Sequence, residues 1–330
     1  MLTSHFSTIK GIVAAGLAML VLGIPGLATG QAWPAKPVTL IVPFPAGGAT
    51  DTLTRVLAQE LQNDLGQSFV VENKAGAAGA IGSAAVEKAS PDGYTLLVGT
   101  SSTHSIAPEL PQDLIYDAHG GFTPIGLLAE SPSLLVIAPN LPFSTLKELI
   151  AYAKANPLKI TYGSSGVGSI PHLSAAYFAG SAGIELQHIP YKGSSLAYPD
   201  LKSGRIDLMV DAIITALPQA QSGNVRALAV TTAKRSALAP DIPTIAESGV
   251  PGFQSLVWIG LFGPKKMAPD TRNAINAAVV RALQADEVQR RFLELGVEAK
   301  PTSPAEFEKS LARESEKWRS VIKEFNLGAK

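Results

Sequence analysis

Three loops carry the residue types best suited to chemistry. Each follows an apolar, β-branched run and precedes a helical pattern. Phe44-Pro45-Ala46-Gly47-Gly48 follows the run at 38–42, Ser165-Gly166-Val167-Gly168-Ser169 follows Tyr162-Gly163-Ser164, and Tyr191-Lys192-Gly193 follows the run at 186–190. A strand, a tight turn and a helix start leave backbone N–H groups without intrahelical partners, and the helix dipole adds positive potential there. Such corners capture anions. Three of them around one ligand would bind a carboxylate with little need for charged side chains. In the second loop the glycines allow close backbone approach, and an ordinary connection with Ser169 as helix cap is the alternative. In the third, Tyr191 can stack on a ligand and Lys192 is a natural countercharge, although loop lysines are usually only solvated.

Other constellations weigh less. His104 stands in a loop after the strand at 94–98, beyond a strand's carboxyl end, where ligands of open α/β sheets bind. Asp211 also follows a strand; it could bind an amino or hydroxyl group or only satisfy loop N–H groups. Asp51 reads as a brace for its helix start. Ser165, His172 and Asp211 could make a triad on paper, but the G-x-S-x-G elbow fails at Val167. Gly166-Val167-Gly168 lacks the third glycine of a dinucleotide fingerprint, since Pro171 stands there. The Gly76 to Gly82 stretch has no Lys-Ser/Thr and is no phosphate loop; close helix packing is its expected use, with lining the cleft as the second. No His pair has metal-ligand spacing, so neither a metal nor a cofactor is expected.

The elements that must position these loops alternate strand and helix. Residues 38–99 read as βαβαβ, with Leu53, Leu57, Leu61 and Leu65 on one helical stripe. Residues 122–138 read as one long strand leaving the first domain. A second series follows: a helix at 144–155 capped by Ser144, strand 159–162, helix 170–180, strand 186–190, helix 193–203 and strand 206–210. Residues 225–230 read as the return crossing and 254–262 as a further strand. Helices at 270–284, 286–295 and 304–325 close the chain. Short joints between strands and helices imply parallel sheets covered on both faces.

Composition sets the outer limits. Of 330 residues, 46% are hydrophobic and 16% charged, enough for two domains with real cores. Lys plus Arg and Asp plus Glu both number 27, which speaks against nucleic acid or an anionic membrane as the main partner. Residues 1–32 carry one charged side chain, Lys10, then an apolar run at 11–24 broken by Pro25 and Gly26. That is the layout of a secretory signal peptide, cleaved after Ala32 or else after Gly30 or Ala28, and it predicts a periplasmic protein, a retained N-terminal anchor being the alternative. The absence of cysteine excludes disulfides and thiolate catalysis.

Taken in order, these motifs resemble the Bug-type receptors of tripartite tricarboxylate transporters. The resemblance spans about 33–330. It rests on Trp33-Pro34, Val42 to Asp51, Val71-Glu72-Asn73-Lys74-Ala75-Gly76, Pro91-Asp92-Gly93-Tyr94, Tyr162 to Gly166 with His172-Leu173, Pro190 to Gly193, Pro243-Thr244, and Trp258 before Gly263-Pro264. It implies a two-lobed, flytrap-like α/β protein of the type II periplasmic-binding architecture. Each lobe would be a mainly parallel sheet flanked by helices, with two crossing strands as hinge. Residues 33–125 and 231–330 would form lobe 1 and residues 126–230 lobe 2. It further implies a cleft lined by Phe44, Ala46, Gly48, Ser101, residues 165–169 and residues 191–193. The expected function is uptake of a small mono-, di- or aromatic carboxylate, delivered by a monomer to membrane permease subunits, without catalysis. A secreted serine hydrolase and a ligand-sensing partner of a signalling receptor are the alternatives. Tyr198 and Pro199 depart from the family's unbroken helix beside the pocket wall.

Overall fold

In the first lobe, alternation along each strand sends one residue to each face of a sheet. The computed structural model describes residues 33–325 and residue 327; the expected signal peptide lies outside them. Strand β1 (Val38–Val42) sends Leu40 into a core with the leucine stripe of helix α1 (Ala49–Leu65), and Ile41 into a core on the opposite face. Leu53, Leu57 and Leu61 are each at most 3% exposed, worth about 2 kcal/mol apiece in hydrophobic burial. Strand β2 (Phe69–Asn73) and strand β3 (Thr95–Thr100) flank β1 in parallel. Helix α2 (Ala80–Glu87) lies between β2 and β3 in the chain and packs on the Ile41 side.

Strand β4 (Phe122–Ile137) is the long strand expected, and it serves both lobes. Residues 122–132 pair with strand β9 (Leu256–Pro264), and residues 133–137 pair with strands β7 (Leu208–Ala212) and β8 (Arg226–Val230). Strand β5 (Thr161–Ser164) sits between β7 and β6 (Gln187–Pro190), parallel to both. The strand order is therefore β2-β1-β3-β9-β4-β7-β5-β6, with β8 and the short β10 (Glu298–Ala299) also on β4. Every antiparallel pair involves β4 or β9. The sheets are thus mixed, parallel in their βα units and antiparallel where the chain passes between lobes.

The second lobe is covered on one face by helices α3 (Leu146–Ala155) and α4 (Ile170–Ala182), and on the other by α5 (Ser194–Ser203) and α6 (Ile213–Gln221). Helix α3 is capped by Thr145, whose hydroxyl accepts from the Glu148 N–H; Ser144 stands one residue too early. Helix α6 is an element the sequence reading lacks. Strand β8 pairs with the second-lobe half of β4, and the Thr231 N–H then bonds the Ser133 carbonyl. The return crossing comes later, at Ser255, whose N–H bonds the Thr231 carbonyl just before β9. Ala239, Ile245, Val250 and Phe253 lie in second-lobe cores. We therefore propose the lobe boundary at Ser255 rather than at Val230. Helices α7 (Pro269–Gln284), α8 (Asp286–Glu294) and α9 (Pro304–Glu324) complete the first lobe.

Candidate functional site

Helix starts decide which of the three loops has free amides. Helix α1 begins after Gly48 and helix α5 after Gly193, and neither glycine supplies a side-chain cap. The first-turn N–H groups of Ala49 and Thr50, and of Ser194 and Ser195, have no partner among the described residues. Helix α4 differs. Ser169 caps it by accepting from His172 N–H, and the Ile170 N–H reaches Ser102 Oγ at 3.3 Å. The second loop also consumes its own donors. Gly166 N–H goes to Ser164 Oγ and Gly168 N–H to His172 Nδ1, both at 3.1 Å. The Ser169 hydroxyl donates to Gly166 O at 2.6 Å. Ser165 and the exposed Val167 keep open N–H groups among the described residues.

In the first loop, Gly47 has φ +79°, a conformation that favours glycine, and its N–H donates to Asp51 Oδ2 at 2.8 Å. Asp51 is thus the brace expected. It also accepts from Arg55 Nε at 3.1 Å and Asn73 Nδ2 at 2.9 Å. Burial works against its charge, but these donors together hold the carboxyl below its ordinary value. Ala46 is exposed and Phe44 half-buried. Gly79 and Gly82 pack α2 tightly on this loop: a Cβ on Gly79 would come within 3.4 Å of the Phe44 ring, and one on Gly82 within 2.8 Å of Pro43 Cα.

The second and third loops adjoin. Tyr191 N–H bonds Ser164 O at 3.1 Å, and Gly166 lies against Tyr191 O. The Tyr191 hydroxyl donates to Asp200 at 2.8 Å, and burial with that carboxylate pushes its pKa up to about 12. Lys192 is exposed and has no ion pair among the described residues. Facing the second loop, the first lobe supplies Ala77, Ala78, Ala107, Gln112 and Tyr116, which with Val167 and Gly168 line an interlobe cavity of about 120 Å³. Residues 77–80 tie that cavity to the Phe44 loop. Ser102, Gln112 and Tyr116 were not expected from sequence. The only available signal was their place between β3 and β4, in a segment that contains a π-helical turn at 102–106.

Three expected site residues stand elsewhere. Ser101 is fully buried and its hydroxyl accepts from Trp258 N–H at 3.2 Å. His104 points into the first lobe, stacked on Phe262 at 4.1 Å and edge-on to Phe122 at 4.8 Å. The turn at 102–106 carries it inward instead of leaving it in an open loop. Asp211 is buried among three hydroxyl donors: Ser194 at 2.8 Å, Tyr198 at 3.0 Å and Thr215 at 2.6 Å. Its oxygens brace the start of α5 and the first turn of α6. Tyr198, the departure noted in sequence, is therefore part of this brace, and α5 runs unbroken through Pro199.

The paper triad does not assemble. His172 Nδ1 accepts from backbone, and His172 stacks on His188 at 4.1 Å. A different pair, Ser164 Oγ and His188 Nε2, is 2.7 Å apart, but Ser164 is fully buried and no carboxylate among the described residues orients the ring.

Residues 53–327 match the family model described as the tripartite tricarboxylate transporter family receptor. The chain is 36% identical over 320 residues to protein BugT of Bordetella pertussis, covering 96% of each. Among solved structures, an R. palustris protein with adipate aligns with a TM-score of 0.85 at 36% identity, covering 89% of this chain and 99% of that one. MatC from Rhodopseudomonas palustris with bound malate aligns with a TM-score of 0.81 at 33% identity, covering 88% and all of that chain.

Proposed function

The chain belongs to the tripartite tricarboxylate transporter receptor family, and from that premise we propose that it captures a small organic carboxylate between its lobes for uptake by the permease subunits of such a transporter. The observation that carries this reading is the pair of uncapped helix starts, α1 in one lobe and α5 in the other. Each offers main-chain N–H groups and the positive end of a helix dipole, the partners an anionic oxygen needs. A dicarboxylate can bridge the two, one carboxylate per lobe. Lys192 adds countercharge at the rim, and Val167 and Tyr191 give the ligand's carbon chain an apolar wall. Adipate and malate in the two relatives support an acid of this size. Capture occurs in the periplasm in this reading, and a ligand that touches both lobes favours the closed form over the open one.

Thermal unfolding against a panel of mono-, di-, tri- and aromatic carboxylates tests the proposal. A bound acid at a hundred times its Kd stabilises the folded state by about 2.7 kcal/mol, which raises Tm by several degrees. The Gly48→Val variant sharpens the test. Gly48 has φ −76°, and a Cβ there meets only Pro45 O, at 3.4 Å, so the fold should survive. The added side chain stands beside the Ala49 and Thr50 amides and should abolish the ligand-induced shift. A normal shift in Gly48→Val, or no shift with any acid, overturns the reading.

A further inference from the structure

A second cavity lies in the first lobe against helix α9, with a volume of about 480 Å³. Its floor is His104, Phe122 and Phe262, and Leu311, Ala312 and Ser315 of α9 form one wall of its open mouth. The volume falls in the range of small-molecule sites. One atom in it is anomalous. His104 is 3% exposed, and its Nε2 has no hydrogen-bond partner among the described residues. The other ring nitrogen is engaged with Thr103 Oγ1 at 2.8 Å. A buried polar atom left unpaired is costly, so it calls for a partner. Burial, with the nearby His119, lowers the pKa of His104 to about 3, and the ring is neutral at any ordinary pH.

The rim decides the ligand's charge. Arg319 is paired with Glu316 at 2.6 Å and Glu109 at 2.9 Å. His119 lies 3.4 Å from Glu109, and Arg272 is paired with Glu308 at 2.9 Å. These three groups are thus all matched, with three carboxylates against two guanidinium groups. Among these described rim residues a carboxylate finds no free countercharge. Phe122 and Phe262 make the floor aromatic, with His104 itself stacked on Phe262. A ring that parts this packing brings its hydroxyl to Nε2, which it can meet in either tautomer, donating to a bare nitrogen or accepting from N–H.

We propose that this cavity is a second binding site, separate from the interlobe cleft, for a small uncharged aromatic alcohol whose hydroxyl bonds His104 Nε2. The test uses phenol as the probe on protein labelled with ¹⁵N at histidine. Phenol should shift the His104 Nε2 resonance saturably and leave His172 and His188 unmoved. Toluene, with the ring but no hydroxyl, should bind more weakly; benzoate should not bind at this site. Ala312 is exposed and tolerates a large side chain, so Ala312→Trp should fill the cavity and weaken phenol binding about tenfold or more while the fold persists. His104→Phe should erase the preference for phenol over toluene, read by calorimetry. A response that never saturates, an equal response to benzoate, or full phenol binding by Ala312→Trp overturns the proposal and leaves water as the partner of Nε2.

Discussion

His172 and His188 are the pair on which the second loop leans. His172 Nδ1 accepts the Gly168 N–H, His188 Nε2 meets Ser164 Oγ, and the two rings stack on each other and on Tyr162. Burial lowers both pKa values to about 4, with His188 adding to the effect on His172. In the unfolded chain both titrate near the ordinary value of about 6.5. Below that pH the unfolded state binds more protons than the folded one. Stability is therefore complete above about pH 6.5 and declines as pH falls from there through about 4. Urea unfolding midpoints should drop between pH 7 and pH 4.5. The His172→Gln, His188→Gln double variant should flatten that drop; an unchanged slope would place the acid-sensitive groups elsewhere. The same residues show what sequence conceals. His172 read as a group at a helix start, which is where it sits, but stacking on a ring sixteen residues away leaves no local pattern.

At the scale of elements, most of the fold was legible because apolar periodicity marks strands and helices directly. The stripe of α1, the long run of β4 and the three closing helices all lie within two residues of their expected bounds. Helix α6 was not legible, since Pro218 stands inside it and only Ile213 and Ala216 are buried. Loop destinations were harder. His104 and Asp211 both follow strands, as cleft residues do, yet a π-helical turn buries one and three hydroxyls claim the other. Asp211 ties the end of β7 to the first residue of α5 and to α6. Removing it by Asp211→Ala leaves the buried Tyr198 hydroxyl and the half-buried Ser194 hydroxyl without their acceptor, while Thr215 keeps the Ala212 carbonyl. The expected cost is about 3 kcal/mol in denaturant unfolding. Tyr198→Phe removes a single donor and should cost about 1 kcal/mol. Because Ser194 opens α5, Asp211→Ala should also weaken carboxylate binding more than Tyr198→Phe does. Equal binding by both variants would show that the brace does not shape the third loop.

Across the whole molecule, the lobes share more than two crossings. Helix α9 belongs to the first lobe by sequence, capped by Ser303 with Glu306 in a reciprocal box, yet its far end reaches the second. Trp318, Val321 and Ile322 form one cluster with Ile106 of the first lobe and Ile170 and Leu173 of α4. The Trp318 ring also stands edge-on to Tyr177, 6.3 Å away. This contact lies behind the capped start of α4, so it can hold that loop in place while the uncapped starts of α1 and α5 remain open to a ligand. Trp318 is fully buried, and Trp318→Ala leaves a cavity costing about 3–5 kcal/mol. A cavity at this place also loosens the lobes against each other. In X-ray scattering, ligand-free Trp318→Ala should show a larger radius of gyration than the parent, and a saturating carboxylate should reverse the difference by joining the lobes. Trp318→Phe keeps most of the packing and abandons an indole N–H that has no partner among the described residues, so it should stay close to the parent in both measurements. If Trp318→Ala loses stability at an unchanged radius, the two crossings alone set the lobe geometry, and α9 is only a cover for the first lobe's sheet.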